Sequence, residues 1–196
     1  MSRFDAMYAS GVPPWDTGRP QPEVLLLDAA GEVQGRVLDA GCGTGENSLY
    51  LAGRGHEVWG YDLAPMALDQ ARAKAKRRGI AGVHWKLQDI LKLTESGPRF
   101  DTILDMAVLH AFGDAEWKLY AKSLRQALAP GGCYFGLAFS EHEPQDWGGP
   151  RRVKQAQIRA LFKEGWAVEW IRKADYELAF RKRPAKAWLA KVRKSA

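Results

Sequence analysis

The stretch VLDAGCGTGE, residues 37–46, sets the fold. An apolar run enters a segment with glycine at 41, 43 and 45, and an acid stands on each side. An apolar run closed by glycine reads as a buried strand, and the residues from Glu46 onward read as a helix. A turn this rich in glycine lets backbone approach something closely. A phosphate, a dinucleotide or another adenosine-bearing cofactor would each suit it, and the flanking residues choose among them.

Outward from this stretch, strands and helices alternate. The sequence predicts strands at 36–40, 57–63, 83–89, 100–109 and 133–139, with helices at 46–55, 65–79 and 114–132 among them. Pro65 opens and Gly79 closes the middle helix, as helix ends prefer. Such alternation implies parallel pairing through right-handed crossovers, a doubly wound α/β sheet. After 140 the rhythm changes to a loop at 140–150, a helix at 154–165, a strand at 166–171 and a last element at 187–194. The alternation Trp188, Ala190, Val192 favours a strand there, with an amphipathic helix as the other option. Residues 1–22, ending GVPPWDTGRPQP, are expected to form an irregular arm. The single domain then spans 23–196 and opens with a short amphipathic helix at 23–30.

A chain of 196 residues with 46% hydrophobic and 27% charged residues is ordinary for one globular domain. It contains no apolar run near the roughly 18 residues that cross a bilayer, and MSRFDAMYAS has no signal-peptide core. Its two cysteines, Cys42 and Cys133, form neither a disulfide framework nor a zinc motif. A cytoplasmic protein with reduced thiols and no bound metal is the expectation. Charge is uneven: residues 1–150 carry 15 Lys/Arg against 19 Asp/Glu, and residues 151–196 carry 14 against 4. A basic third can be a nucleic-acid surface or merely a solvated face; the solvated face is expected here, with no specific nucleic-acid partner.

In an open parallel sheet, ligands bind beyond the carboxyl ends of the strands, next to the first strand. A triphosphate loop would need GxxxxGK[ST], and this turn has no lysine. A dinucleotide fingerprint would need glycine at 46, where Glu46 stands. Asp39 and Glu46 would repel a pyrophosphate at this helix mouth. They would welcome an ammonium group. S-adenosylmethionine carries an ammonium, a sulfonium, a ribose diol and an adenine, and no phosphate. Asp62, ending the second strand, is placed to accept from both ribose hydroxyls. Asp89, ending the third, can accept from the adenine amino group while Leu63 and Ile90 sandwich the ring.

With these motifs the chain resembles the class I S-adenosylmethionine-dependent methyltransferases. The likeness runs from VLDAGCGTGE through YDLAP, KLQDI, FDTILDMAVLH and LAPGGCYFGLAF to the closing strands. It implies a seven-stranded, mostly parallel Rossmann-like sheet with the last strand antiparallel, and one S-adenosylmethionine per domain. Asp39 and the backbone of Gly41, Gly43 and Gly45 would meet the methionine part, Asp62 the ribose, and Asp89 and Ile90 the adenine. Asp105 and Met106 would lie around the sulfonium.

The segment PPWDTGRPQP is similar to the N-terminal arm of the thiol, halide, thiopurine and tellurite-resistance methyltransferases. That likeness implies an arm closing over the cofactor. Trp15 would face the sulfonium, Arg19 would reach the carboxylate and Tyr8 would face the acceptor, although Trp15 could equally be an anchor to the core. No nucleophile–base pairing is evident. His110 is the best-placed general base, and a structural role would suit it as well. Trp147, with Glu141 and His142, would wall the acceptor pocket from the 140–150 loop. Cys42 reads as a small residue rather than a nucleophile. The expected function is methyl transfer to a small lipophilic thiol, phenol or similar nucleophile. An RNA or protein methyltransferase, or a cofactor-binding protein without catalysis, are the alternatives. The motifs specify a cofactor and leave the acceptor and the oligomeric state open.

Overall fold

The computed structural model describes residues 3–94 and 96–195. Five parallel strands are β1 (Arg36–Ala40), β2 (Glu57–Asp62), β3 (Val83–Leu87), β4 (Phe100–Met106) and β5 (Leu128–Phe139). A hairpin of β6 (Trp166–Tyr176) and β7 (Ala185–Lys194) completes a seven-stranded sheet in the order β3-β2-β1-β4-β5-β7-β6. β7 pairs antiparallel with both β5 and β6. Helices α1 (Arg3–Ala9), α2 (Pro22–Ala29), α3 (Glu46–Gly53), α4 (Pro65–Arg78), α5 (Asp114–Ala127) and α6 (Gln155–Leu161) surround it.

Alternation along the strands builds two cores. Leu38, Ile103 and Tyr134 face α5 and α6, whereas their neighbours Val37, Leu104 and Phe135 join Val24 and Leu27 of α2 and Leu51 of α3 on the other face. The last element is a strand, and nearly every residue of it from Ala187 to Val192 is buried. Lys191 is tolerated there because Glu32 and Glu169 neutralise it at 2.5 and 3.1 Å.

Several expected boundaries move, each for a local reason. The helix predicted over 114–132 stops at Ala127, because Pro130 lacks an N–H and pushes Ala129 out of the helical region. Leu128 already pairs with Phe100, and Ala-Pro-Gly-Gly bulges out before Cys133 pairs with Thr102. The strand predicted to 109 ends at Met106, since Ala107 turns with φ 89°. The helix predicted over 154–165 is only Gln155–Leu161, and the strand predicted over 166–171 runs on to Tyr176. The expected irregular arm begins with a helix, α1, which packs on α4.

Just before that turn, Asp105 is completely buried and accepts four donors. The hydroxyls of Tyr120 and Tyr134 donate to its Oδ2 at 2.8 and 2.7 Å, the N–H of Val108 to its Oδ1 at 2.5 Å, and the N–H of Leu109 to its Oδ2 at 3.1 Å. Asp105→Ala orphans all four in the interior. We expect a loss of about 3–5 kcal/mol in urea unfolding, with Asp105→Asn intermediate. A loss below about 1 kcal/mol would show that the four bonds are dispensable.

Candidate cofactor and acceptor cavity

β1 sits between β2 and β4, so the chain reverses its direction of progress across the sheet at the β1/β4 boundary. A cavity of about 860 Å³ opens beyond the carboxyl ends of these strands, where open α/β sheets hold ligands. Gly41, Asp62, Leu63, Ile90 and Met106 line one region of it; Tyr8 and Trp15 cover it from the arm; His110 and Trp147 reach it from the far side. The geometry thus brings together nine of the residues singled out from the sequence.

The glycine turn makes its close approaches largely to the protein itself. A Cβ on Gly41, which has φ 70°, would lie 2.3 Å from Val108 Cγ2, and one on Gly43 would lie 2.8 Å from the Tyr8 hydroxyl. The N–H groups of Gly41 and Cys42 both donate to Tyr61 O, at 2.8 and 3.0 Å. Gly43 and Gly45 lie behind the cavity wall, Gly45 as the residue capping α3. Asp62 ties the turn down: its Oδ2 accepts the Gly43 N–H at 2.8 Å and its Oδ1 accepts the Ala64 N–H at 2.9 Å. Burial pushes the Asp62 carboxyl above the usual range. Each of its oxygens keeps a second lone pair for a ligand.

Asp39 lies one layer deeper and is held by the Ser48 hydroxyl, which donates to its Oδ2 at 2.5 Å. Burial pushes it up to about 7, Ser48 opposes the shift, and Asp62 and Asp105 add to it. Buried Cys42 is likewise pushed up by burial and by the charges of Asp39 and Asp62, so its thiol stays protonated.

Arg19, Asp89 and Asp105, like Glu141 and His142, do not line this cavity. Arg19 pairs with Glu177 at 2.8 Å, its side chain 68% exposed, and does not reach the cavity. Asp89 spends its Oδ1 on the Leu91 N–H at 2.9 Å, capping a short 3-10 turn, and Gln88 takes the wall position instead. Asp105 holds the turn after β4 from within the core. On the 140–150 loop, Trp147 reaches the wall while Glu141 and His142 turn toward Trp188.

His110 is buried, and its ring lies against Phe139 with centroids 4.4 Å apart. Its Nδ1 accepts the Phe139 N–H at 3.1 Å. Burial, helped by Arg152, pushes it down to about 3, so it is neutral and carries its proton on Nε2. Its free lone pair is therefore spent, and the general-base role expected of His110 is not what this arrangement offers. The sequence reading missed Tyr61, Phe139, Tyr176 and Phe180, which complete the aromatic wall. Tyr61 and Phe139 stand at the edges of the quoted YDLAP and LAPGGCYFGLAF stretches, whereas Tyr176 and Phe180 belong to no motif. Among the described residues no group of three His, Cys, Asp or Glu side chains is placed to hold a metal, and no helix is long and apolar enough to cross a membrane.

A doubly wound sheet with an antiparallel β7 thus carries an acid, Asp62, at the end of β2 facing a glycine turn. Comparison with known proteins narrows this. The methyltransferase-domain family matches residues 37–132. A 2-heptyl-1-hydroxyquinolin-4(1H)-one methyltransferase of Mycobacteroides abscessus is 40% identical over 160 residues, 81% of this chain and 70% of that one. A probable thiol methyltransferase 2 of Arabidopsis thaliana is 29% identical over 195 residues, 98% of this chain and 85% of that one. A solved structure reported for the conversion of a disulfide bond into a thioacetal group during echinomycin biosynthesis superposes with TM-score 0.90 at 35% identity, covering 98% of this chain and 91% of that one. The chain belongs to the S-adenosylmethionine-dependent methyltransferases. Its residues fit that cofactor: the carboxylate of Asp62 meets the cavity where the glycine turn meets β2, and Arg151 on the opposite wall is the sole Lys or Arg among the described lining residues.

Asp39 gives a signed pH dependence. Its folded value of about 7 lies above that of the unfolded chain, so stability held at low pH drains away as pH rises from about 4 through about 7. Asp39→Asn, which keeps an acceptor for Ser48, should stabilise the cofactor-free protein by about 1–3 kcal/mol at pH 8 and flatten its stability–pH curve. Thermal melts of both proteins at pH 5 and pH 8 check this. Parallel curves would mean that Asp39 is not the titrating group.

Proposed function

We propose that the protein transfers a methyl group from S-adenosylmethionine to a small lipophilic nucleophile, a phenol, thiol or similar group, inside a closed aromatic cavity. The carrying observation is the cavity itself: one end offers a carboxylate and a glycine turn, and the other is walled by aromatic rings. When bound, S-adenosylmethionine supplies an activated methyl on a sulfonium, which the acceptor's lone pair displaces directly. Gly41 serves the methionine end, and Asp39, Gly43 and Gly45 hold the turn behind it. Asp62 serves the ribose, Leu63 and Ile90 the adenine, and Met106 the region of the sulfonium. Tyr8 and Trp147 contact the acceptor.

The protein's own work is to align the two partners and to exclude water. The arm does much of this. Trp15 donates its Nε1–H to the Tyr8 hydroxyl at 2.8 Å, and its ring meets Phe4 edge-on at 6.0 Å. Outside the cavity, Asp16 latches the arm, because Thr44 Oγ1 donates to its Oδ2 at 2.8 Å and Lys74 stands 3.8 Å from it. The names of the relatives support the acceptor class: one acts on a hydroxyl-bearing aromatic heterocycle with an alkyl tail, another on thiols.

The basic C-terminal third supports a small-molecule acceptor rather than RNA. Arg151 pairs with Asp114, Arg172 with Glu23, Arg181 with Glu143, Lys191 with Glu32 and Glu169, and Arg193 with Glu169. These five of its fourteen Lys and Arg are thus paired within the fold, and in this reading the protein works in the cytoplasm without a specific nucleic-acid partner. Short structured RNA should bind only weakly at physiological salt; nanomolar affinity would favour the RNA alternative.

Transfer from labelled S-adenosylmethionine to a panel of phenols, thiols, halides and short RNAs tests the reading, which fails if no small molecule is methylated. Trp15→Ala should cut single-turnover transfer about tenfold or more, through lost cation–π attraction and water entry. The melting temperature of the cofactor-free protein should stay within a few degrees, and Trp15→Phe should recover part of the rate. Unfolding of Trp15→Ala with a proportionate loss of activity would make Trp15 an anchor only.

A further inference from the structure

Beside His110, a second polar hydrogen opens on the same end of the cavity. The Tyr176 hydroxyl stands at the end of β6, and both rings pack on Phe139, with His110 and Tyr176 centroids 6.5 Å apart. His110 has spent Nδ1 on the Phe139 N–H and keeps its hydrogen at Nε2. Neither that hydrogen nor the Tyr176 hydroxyl has a protein partner among the described residues. Yet no buried side-chain polar atom of the described residues is left unpaired, so both open on the cavity they line. Two donors lining one end of an aromatic cavity, their rings 6.5 Å apart, have a chemical complement. It is an oxygen that accepts two hydrogen bonds and gives none.

We propose that His110 and Tyr176 form a donor pair that selects the acceptor as an oxyanion, an acidic phenol or N-hydroxyl that has already lost its proton to water. This rests on the methyltransferase reading above and specifies its acceptor. No base is then needed at the site, which agrees with the spent lone pair of His110. The surrounding charges suit an anion at this end. Arg152 stacks over Trp147 at 4.6 Å and over Phe139 at 5.4 Å, and its hydrogens go to the carbonyls of Glu143, Pro144, Gly148 and Pro150. It forms no ion pair among the described residues, so its positive charge bears on the His110 end. Arg151 lines the same wall, although Asp114 partly answers it at 2.6 Å. Of the acids, Asp105 lies behind Tyr176 with four donors upon it, Asp16 is engaged by Thr44, and Asp62 sits at the cofactor end, held by two backbone N–H groups. The neutral Tyr176 hydroxyl, pushed up by burial, keeps its proton throughout the working range.

The two donors do not belong to the fold's own hydrogen-bond network in the same way, and this separates function from structure. Tyr176→Phe removes a hydroxyl that nothing in the protein uses. His110→Leu removes the donor and also strands the Phe139 N–H. His110→Asn can supply an acceptor to that N–H and a donor to the cavity.

The test uses 4-nitrophenol as the probe on the cofactor-free protein, following its phenolate absorption across pH. Binding should lower the apparent pKa of the bound probe by about one unit, a roughly tenfold preference for the phenolate, and the neutral methyl ether 4-nitroanisole should bind more weakly. Tyr176→Phe should reduce the preference at least threefold with unchanged melting temperature and unchanged binding of S-adenosylhomocysteine. His110→Leu should abolish it, and His110→Asn should restore part of it. A bound probe whose pKa is unshifted or raised, or a preference untouched by Tyr176→Phe, overturns the donor pair. Methyl transfer to thiols or neutral acceptors alongside such a result would leave the methyltransferase reading standing and remove only the oxyanion selection. Absence of transfer to every small molecule would instead remove the reading itself.

Discussion

The site depends on a carboxylate that touches no ligand. Asp105 ends the parallel run of β4 inside the core, and its four donors come from β5, α5 and the turn that follows β4 itself. Burying a carboxylate is unfavourable, and burial raises its pKa, yet full hydrogen bonding offsets much of the cost. In return the 107–109 turn has one position. Ala107 is held at φ 89°, a conformation that a non-glycine residue adopts only when its surroundings dictate it. Val108 is then driven into the space that a side chain at position 41 would occupy. The glycine turn and the post-β4 turn interlock, so the cofactor side and the acceptor side of the cavity are positioned by one buried group.

From that interlock follows the polarity of the cavity. Asp62 sets its carboxyl against the glycine turn, with the raised carboxyl of Asp39 one layer below, at the end proposed for the cationic methyl donor. At the opposite end the arrangement offers hydrogen-bond donors and an arginine whose partners are neutral carbonyls. A methyl donor that is cationic and an acceptor that is anionic are drawn to opposite ends of one enclosure whose walls are mostly aromatic. In such low-dielectric surroundings those charges are screened less than in water. The arm covers this same enclosure through Tyr8, Pro14 and Trp15.

Much of this was legible in the sequence, and the exceptions have a common cause. Glycine at 41, 43 and 45 with Asp39 and Asp62 marked the first two strands and their ligand, although Glu46, read as repelling a pyrophosphate, is paired with Lys74 at 2.7 Å and Arg78 at 2.8 Å. The alternation of strands and helices fixed the sheet, and Pro65 and Gly79 bounded α4 where expected. What sequence could not show was direction. Asp89 follows the end of β3 and Asp105 stands one residue before the end of β4, and a carboxylate near a strand end reads the same whether it meets a ligand, caps a turn or enters the core. Asp105 is distinguished only by Tyr120 and Tyr134, which arrive from 15 and 29 positions away. Arg19 likewise looked like an anion-binding group until Glu177, 158 residues on, was found beside it. Tyr176 belongs to no motif and becomes a site residue only because β7 inserts between β5 and β6 and carries the end of β6 back over the cavity.

His110 shows how far residue type alone can mislead about chemistry. A histidine after the fourth strand suggests a base, since imidazole is the side chain most often given that task. Its role is decided by which nitrogen the backbone occupies. The Phe139 N–H can only donate, so Nδ1 must accept, and the proton is confined to Nε2. The same ring would be a base had it met a carbonyl instead. Phe139 still pairs with Ala187 of β7, but β4 ends its pairing at Met106 opposite Leu137, so the Phe139 N–H meets His110 instead of a β4 carbonyl, and its own carbonyl is taken by the N–H of Val153 at 2.7 Å. The acid–base character of the acceptor site is therefore set by where a sheet strand ends, not by a catalytic motif.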